Sequence, residues 1–169
     1  SKVNAMAQSI KYREKRGFKK NDRIYTPKPV AEIMINMCNI KEGDKVLDPS
    51  RGGGVFYNLF PKNCKKYYCE IQENKDFFKF YEKMDWVIGN PPYSLWDEWL
   101  DHTMKITDKF CYIFGVWNMT SARFERIFKN GYGVTKISTC KVNWWFGNSW
   151  IVVFEKNKES IIKNYYPFI

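Results

Sequence analysis

Asn90-Pro91-Pro92-Tyr93 ends an apolar run, Trp86-Val87-Ile88-Gly89. Two successive prolines remove two backbone donors and fix φ, so this corner is stiff and presents acceptors. The side-chain oxygen of Asn90 and the carbonyl of Pro91 can both face outward from it. Two acceptors converging on one point suit an NH2 group. An adenine amine is a poor nucleophile because its lone pair is delocalised into the ring. Accepting both of its hydrogens returns density to the nitrogen and favours tetrahedral geometry. Tyr93 offers a flat face for the base, as enzymes acting on extruded bases require. Taken alone, the four residues would read as a proline turn after a strand.

A second stretch changes that balance. Val46-Leu47-Asp48-Pro49-Ser50-Arg51 runs into Gly52, Gly53 and Gly54, which let the backbone approach a ligand closely. Glu70 ends the next predicted strand, about 20 residues on, where an acid can bind ribose hydroxyls. The glycines lack the dinucleotide spacing, and Asp48 precedes them. A carboxylate there repels a pyrophosphate and suits an ammonium or a sulfonium. A nucleoside carrying an amino acid and a sulfonium, S-adenosylmethionine, fits better than a dinucleotide.

The elements that must position these residues follow from periodicity. Thr26 is expected to cap a helix with Pro27 at its first position, its apolar face built from Val30, Ile33, Met34 and Met37. Strands are predicted at 45–47, 66–71 and 84–89, with a short helix over 55–60 and a third strand or a turn at Asp76-Phe77-Phe78. Ser94 is expected to cap a helix over 95–106 with Trp96, Trp99 and Leu100 inward and His102 on the surface. A buried strand over 110–116, a helix over 121–128 and strands over 135–145 and 150–155 complete the chain. The last two would form a hairpin through Phe146-Gly147-Asn148-Ser149. Strands alternating with helices and then a hairpin give an α/β, Rossmann-like fold with a mostly parallel sheet and a C-terminal antiparallel hairpin. Asp48, Glu70 and Asn90 then share the rim where such sheets bind ligands. Trp117 and Asn118 are expected to pack in the core rather than line the pocket.

Composition sets the outer limits. The 169 residues suffice for one domain with a real core, and aromatics make up 18%. No run is long and apolar enough for a membrane span, and the first residues hold no apolar signal segment, so a cytoplasmic location is expected. The five cysteines form no C-x-x-C and only His102 could join them, so no metal site is expected and the thiols read as reduced. The net charge is +10, and most of the excess lies before residue 29. A basic arm over 1–24 therefore precedes the domain, 25–157, and a tail, 158–169, follows it. Such an arm suits a polyanion through counterion release.

These residues resemble a known family, the amino-group DNA methyltransferases that modify adenine N6. The likeness spans 25 to about 155. Tyr25-Thr26-Pro27 is similar to the early element that touches the cofactor's methionine part. Asp48-Pro49-Ser50-Arg51-Gly52-Gly53-Gly54-Val55-Phe56 resembles the D-P-x-x-G-x-G-x-F loop, and Glu70 the ribose-binding acid. Asp76-Phe77 resembles the element that contacts the cofactor adenine, and Asn90-Pro91-Pro92-Tyr93 is the N-P-P-Y signature. The resemblance implies an adenine-specific DNA methyltransferase of the restriction-modification type, using S-adenosylmethionine. It implies cofactor contacts from Tyr25, Thr26, Pro27, Asp48, Ser50, Gly52, Gly54, Glu70, Asp76 and Phe77. An aromatic of the hairpin, Trp145 or Phe146, would stack on the far face of the base; hairpin packing suits either equally.

Two departures stand out. Only Ile71 to Lys75 separate Glu70 from Asp76, where the family has a helix, and no target-recognition domain is visible. Sequence choice would fall to the arm, the hairpin or a partner chain. The alternatives are an RNA or protein-glutamine methyltransferase with the same corner, or a non-catalytic subunit that keeps the fold and binds nucleic acid. The Lys/Asn/Ile/Tyr-rich composition fits an A·T-rich genome, and so compact a form fits a virus or mobile element.

Overall fold

The computed structural model describes residues 25–145 and 147–167. The basic arm over 1–24 and Phe146 lie outside the described residues. Six strands form one sheet in the order β2-β1-β3-β4-β6-β5. β1 (Lys45–Asp48), β2 (Lys65–Tyr68), β3 (Trp86–Gly89) and β4 (Lys109–Gly115) are parallel to one another, and β6 (Ser149–Lys156) runs antiparallel between β4 and β5 (Tyr132–Cys140). The expected mostly parallel sheet with an antiparallel C-terminal hairpin is therefore observed.

Strand residues alternate between two cores, as period-2 pleating requires. Leu47, Val87, Phe110, Tyr112 and Phe114 face one side. There they meet α3 (Trp96–Ile106) and α4 (Ser121–Lys129) through Trp96, Trp99, Leu100, Phe124 and Ile127. Val46, Trp86, Ile88, Cys111 and Ile113 face the other. They meet α1 (Lys28–Met37) and α2 (Val55–Leu59) through Val30, Ala31, Met34, Ile35 and Phe56.

Several local expectations are corrected. Pro27, not Thr26, is the N-cap of α1, and no side chain caps it. The hydroxyl of Thr26 is taken by a longer-range partner described below. The buried face of α1 is Val30, Ala31, Met34 and Ile35, while Ile33 is exposed. Ser94 does not cap α3. The proline corner tightens into a 3-10 turn, Tyr93–Leu95, in which the Leu95 amide bonds the Pro92 carbonyl at 3.1 Å and which leads straight into the helix. β5 starts earlier and stops earlier than predicted, so the hairpin connection is the segment 141–148 rather than a tight four-residue turn.

Of the two expectations for Asp76-Phe77-Phe78, strand or turn, the turn is observed. Glu70 bridges to Lys75 across a tight turn with Asn74 at φ 60°, and Phe77–Lys79 is a 3-10 turn. The shortened segment folds down onto α3. Phe77 stacks on Trp99 with centroids 4.3 Å apart, and Phe80 offers its carbonyl to a ring nitrogen of His102 at 2.7 Å. His102, expected on the surface, is therefore buried beneath this segment. Beyond β6 the chain stays against the body. The Val134 amide bonds the hydroxyl of Ser160 at 3.1 Å, and the Ile161 amide bonds the Val134 carbonyl at 2.8 Å.

Candidate active site

The chain runs from β1 to β2 on one side and returns to β3 on the other, so the crevice beyond β1 and β3 is the sheet's switch point. Asp48 is the last residue of β1, Asn90 follows the last residue of β3, and Glu70 lies two residues past β2. The parallel strands bring these three to one rim, as the spacing predicts.

Asp48 lies beneath this rim with no exposed surface. One oxygen, Oδ1, accepts from the Ser50 amide at 3.2 Å; Oδ2 is buried without a hydrogen-bond partner. Burial pushes its carboxyl up from 3.8 to about 7. The amides of Ser50 and Tyr57 pull it back, the second without a formed hydrogen bond, and the charge of Glu70 pushes it further up. An orphaned acceptor of this kind is an energetic fault unless a donor or cation approaches it.

Glu70 clamps the glycine loop. Its Oε2 accepts from the Gly52 amide at 2.8 Å and its Oε1 from the Gln72 amide at 3.2 Å. Each oxygen keeps a second lone pair. Gly52 has φ 52°, and the ring of Tyr25 lies so close that a Cβ on Gly53 would sit 3.0 Å from it. Tyr25 therefore covers the loop, while Gly54, at φ 84°, starts α2.

Between these residues opens a cleft of about 410 Å³, solvent included, lined by Ser50, Glu70, Asp76, Phe77, Leu95 and Trp99 among others. Asp76 fixes its own turn by accepting from the Phe78 amide at 2.9 Å, and Phe77 is held in place by Trp99.

Asn90 is gripped at three points. Its Nδ2 donates to the hydroxyl of Thr26 at 3.3 Å, its Oδ1 accepts from the hydroxyl of Tyr93 at 2.5 Å, and its carbonyl accepts from the hydroxyl of Ser50 at 3.0 Å. The Tyr93 hydroxyl also reaches the carbonyl of Ile113. One proton cannot serve two acceptors fully, so Asn90 keeps accepting capacity. Pro91 is buried, and the Tyr93 ring is half-buried, edge-on to Trp96 at 5.8 Å. The corner is thus closed on itself rather than open with two outward acceptors.

The fold matches that of solved structures. M. capricolum TrmK in complex with S-adenosyl-homocysteine superposes with a TM-score of 0.62 at 12% identity, over 83% of this chain and 73% of that one. Magnesium protoporphyrin IX methyltransferase from Synechocystis PCC 6803, also with bound S-adenosyl-homocysteine, gives 0.58 at 14% identity, over 76% and 80%. The fold is that of S-adenosylmethionine-dependent methyltransferases. The methyltransferase subunit of a type I restriction-modification system from Streptococcus thermophilus gives 0.54 at 15% identity. That match covers 80% of this chain and 45% of the subunit, so the chain spans less than half of it. No family model and no curated protein matches the sequence.

The residues present fit the cofactor class of this fold. The orphaned Asp48 oxygen suits a cationic or N–H partner, the free lone pairs of Glu70 suit hydroxyls, and the walls from Phe77, Leu95 and Trp99 suit a flat base. Of the residues singled out in the sequence, Ser50, Glu70, Asp76 and Phe77 line the cleft; Asp48, Gly52, Gly54, Asn90 and Tyr93 do not. Thr26 instead holds Asn90, and Tyr25 lies on the glycine loop. Trp145 is half-buried against the second core, with its indole nitrogen buried. Trp117 was expected to pack but is 50% exposed at the end of β4. Among the described residues no helix is long and apolar enough to cross a membrane, and no cluster of His, Cys, Asp and Glu could hold a metal.

Proposed function

We propose that this protein is an S-adenosylmethionine-dependent methyltransferase acting on an exocyclic amine, the N6 of adenine in DNA. The observation that carries this is the Asn90 corner at the switch point, anchored through Ser50 to the loop that rises from buried Asp48. The cofactor, when bound, supplies an electrophilic methyl carbon on a sulfonium.

Asp48 and the backbone of Gly52 and Gly54 hold the methionine end, covered by Tyr25 with Thr26 and Pro27. Glu70 holds the ribose, and Asp76 with Phe77 borders the adenine. Asn90 accepts an amine hydrogen on Oδ1 while Thr26 and Ser50 fix its plane and backbone, so the acceptor is oriented before the substrate arrives. Pro91 and Pro92 keep the corner rigid. Tyr93, tethered to Ile113, presents its ring to the base, and Trp145 closes the other side; Phe146 shares that loop but lies outside the described residues. The amine nitrogen would gain the methyl carbon as that carbon's bond to sulfur breaks, leaving a neutral thioether, and would lose one proton to solvent, with Asn90 Oδ1 holding a hydrogen of the amine meanwhile. The strongly basic composition supports a polyanionic substrate.

The test is transfer of labelled methyl to DNA, RNA and protein in parallel, with nucleoside analysis. The expected product is N6-methyldeoxyadenosine. Label only in RNA or in glutamine would replace the substrate assignment, and no transfer to any of the three would refute the enzymatic one.

A further inference from the structure

The chain from Cys69 to Glu73 is tied to the glycine loop at three places. The Arg51 amide donates to the Cys69 carbonyl at 2.9 Å, the Gly52 amide to Glu70 Oε2 at 2.8 Å, and the Arg51 guanidinium to Glu73 Oε1 at 2.5 Å. The other oxygen of Glu73, Oε2, accepts from the hydroxyl of Tyr68 at 2.8 Å. Arg51 also lies over the Tyr68 ring, 4.1 Å from its centroid. Both oxygens of Glu73 are thus engaged, by a guanidinium and a phenol that pack on each other. A charged pair sharing a third group in this way is worth more than an isolated surface pair.

The turn that carries Glu73 forms part of the cleft wall. Glu70, Ile71, Lys75 and Asp76 line the cleft, whereas Arg51 and Glu73 do not. The turn is closed at its base, where Glu70 and Lys75 exchange both backbone hydrogen bonds at 2.9 and 3.0 Å. None of Ile71–Glu73 is buried, so packing contributes little to holding it. Those backbone bonds do not orient the Glu70 side chain. That side chain spans from the turn to the loop, and its reach depends on the gap between them. The gap is set at one end by the Arg51 amide on Cys69 and at the other by the Arg51 side chain on Glu73.

We propose that Glu73 is a positioning residue for the cofactor site, which rests on Glu70 holding the ribose. Paired with Arg51, it holds the exposed turn against the glycine loop. The remaining lone pairs of Glu70 then face the ribose hydroxyls before the cofactor arrives. A binding side chain keeps productive geometry only when the groups behind it are themselves fixed. Here that support is an ion pair rather than a packed helix face, and its removal frees Glu70 without touching any group that meets the cofactor.

The experiment measures S-adenosyl-homocysteine binding to the full chain by calorimetry. The proteins are wild type, Glu73→Ala, Glu70→Gln and the double variant, with Arg51→Met breaking the same pair from the loop side. Glu70→Gln is expected to weaken binding about tenfold. Glu73→Ala and Arg51→Met are each expected to weaken it about fivefold. Glu73→Ala is expected to add nothing once Glu70→Gln is present, because it acts through that carboxylate. Wild-type affinity in Glu73→Ala, or in Arg51→Met should the first variant not fold, overturns the positioning role; a loss in Glu70→Gln would still leave the ribose assignment standing. A fivefold loss that persists in the Glu70→Gln background also overturns it, because Glu73 would then act on the rim at large. Unchanged binding by Glu70→Gln, or no binding by the wild type, overturns the ribose assignment and the positioning role with it.

Discussion

Asp48→Asn separates the demands of folding from those of binding. Asp48 is fully buried, and its carboxyl is pushed up from 3.8 to about 7. The folded state thus holds a proton that the unfolded chain has lost between those values. The stabilisation is fully present below pH 3.8 and is lost as pH rises through about 7. The span of 7 − 3.8, about 3 units, at about 1.4 kcal/mol each, amounts to about 4 kcal/mol. Between pH 5 and 7.5 about 3 kcal/mol of that is lost. Asparagine is nearly isosteric, still accepts from the Ser50 amide and never ionises. Its extra buried N–H costs about 1–3 kcal/mol at every pH. Urea unfolding of the cofactor-free proteins at pH 5 and pH 7.5 should therefore show the variant gaining about 3 kcal/mol relative to wild type between the two. A wild-type-to-variant difference that is the same at both pH values, within about 1 kcal/mol, would refute the buried-carboxyl argument. If Asp48 also faces the cofactor's cationic end, saturating cofactor should flatten the wild-type slope, and the variant should bind it more weakly.

Two other substitutions and a truncation probe separate parts of the chain. Tyr93→Phe removes the hydroxyl shared by Asn90 and Ile113; unfolding should show a loss of about 1–2 kcal/mol, and calorimetry should show unchanged cofactor affinity. Phe77→Ala empties a buried ring stacked on Trp99 and should cost about 3–5 kcal/mol of stability in urea titrations. Truncation before Asp22 removes most of the arm's lysines and arginines and should weaken DNA binding and flatten its salt dependence; an unchanged slope of log affinity against log salt would exclude the arm from the contact.

The rim was legible in the sequence because its markers are local. Apolar strands that run into Asp48 with glycines, into Glu70, and into Asn90 with two prolines announce their own ends. Periodicity likewise marked Trp96, Trp99 and Leu100 as inward. What stayed hidden depends on distant partners. Thr26 looks like a cap beside Pro27, but its hydroxyl is used 64 positions away by Asn90. His102 reads as surface on its own helix and is buried only because the shortened segment after Glu70 folds over it. Trp117 reads as core because large aromatics after an apolar strand usually are. Gly115 and Gly147 were the available signal, since two glycines flanking an antiparallel pair leave room for one large ring above the backbone.

The central claim is that Asn90 accepts a hydrogen of a base amine beside a bound methyl donor. Parallel calorimetry and labelled-methyl transfer on wild type and Asn90→Ala test it most directly. The account predicts near-equal cofactor affinity and at least a hundredfold loss of N6-methyldeoxyadenosine formation in the variant. Wild-type turnover by Asn90→Ala, or no cofactor uptake by either protein, would contradict it.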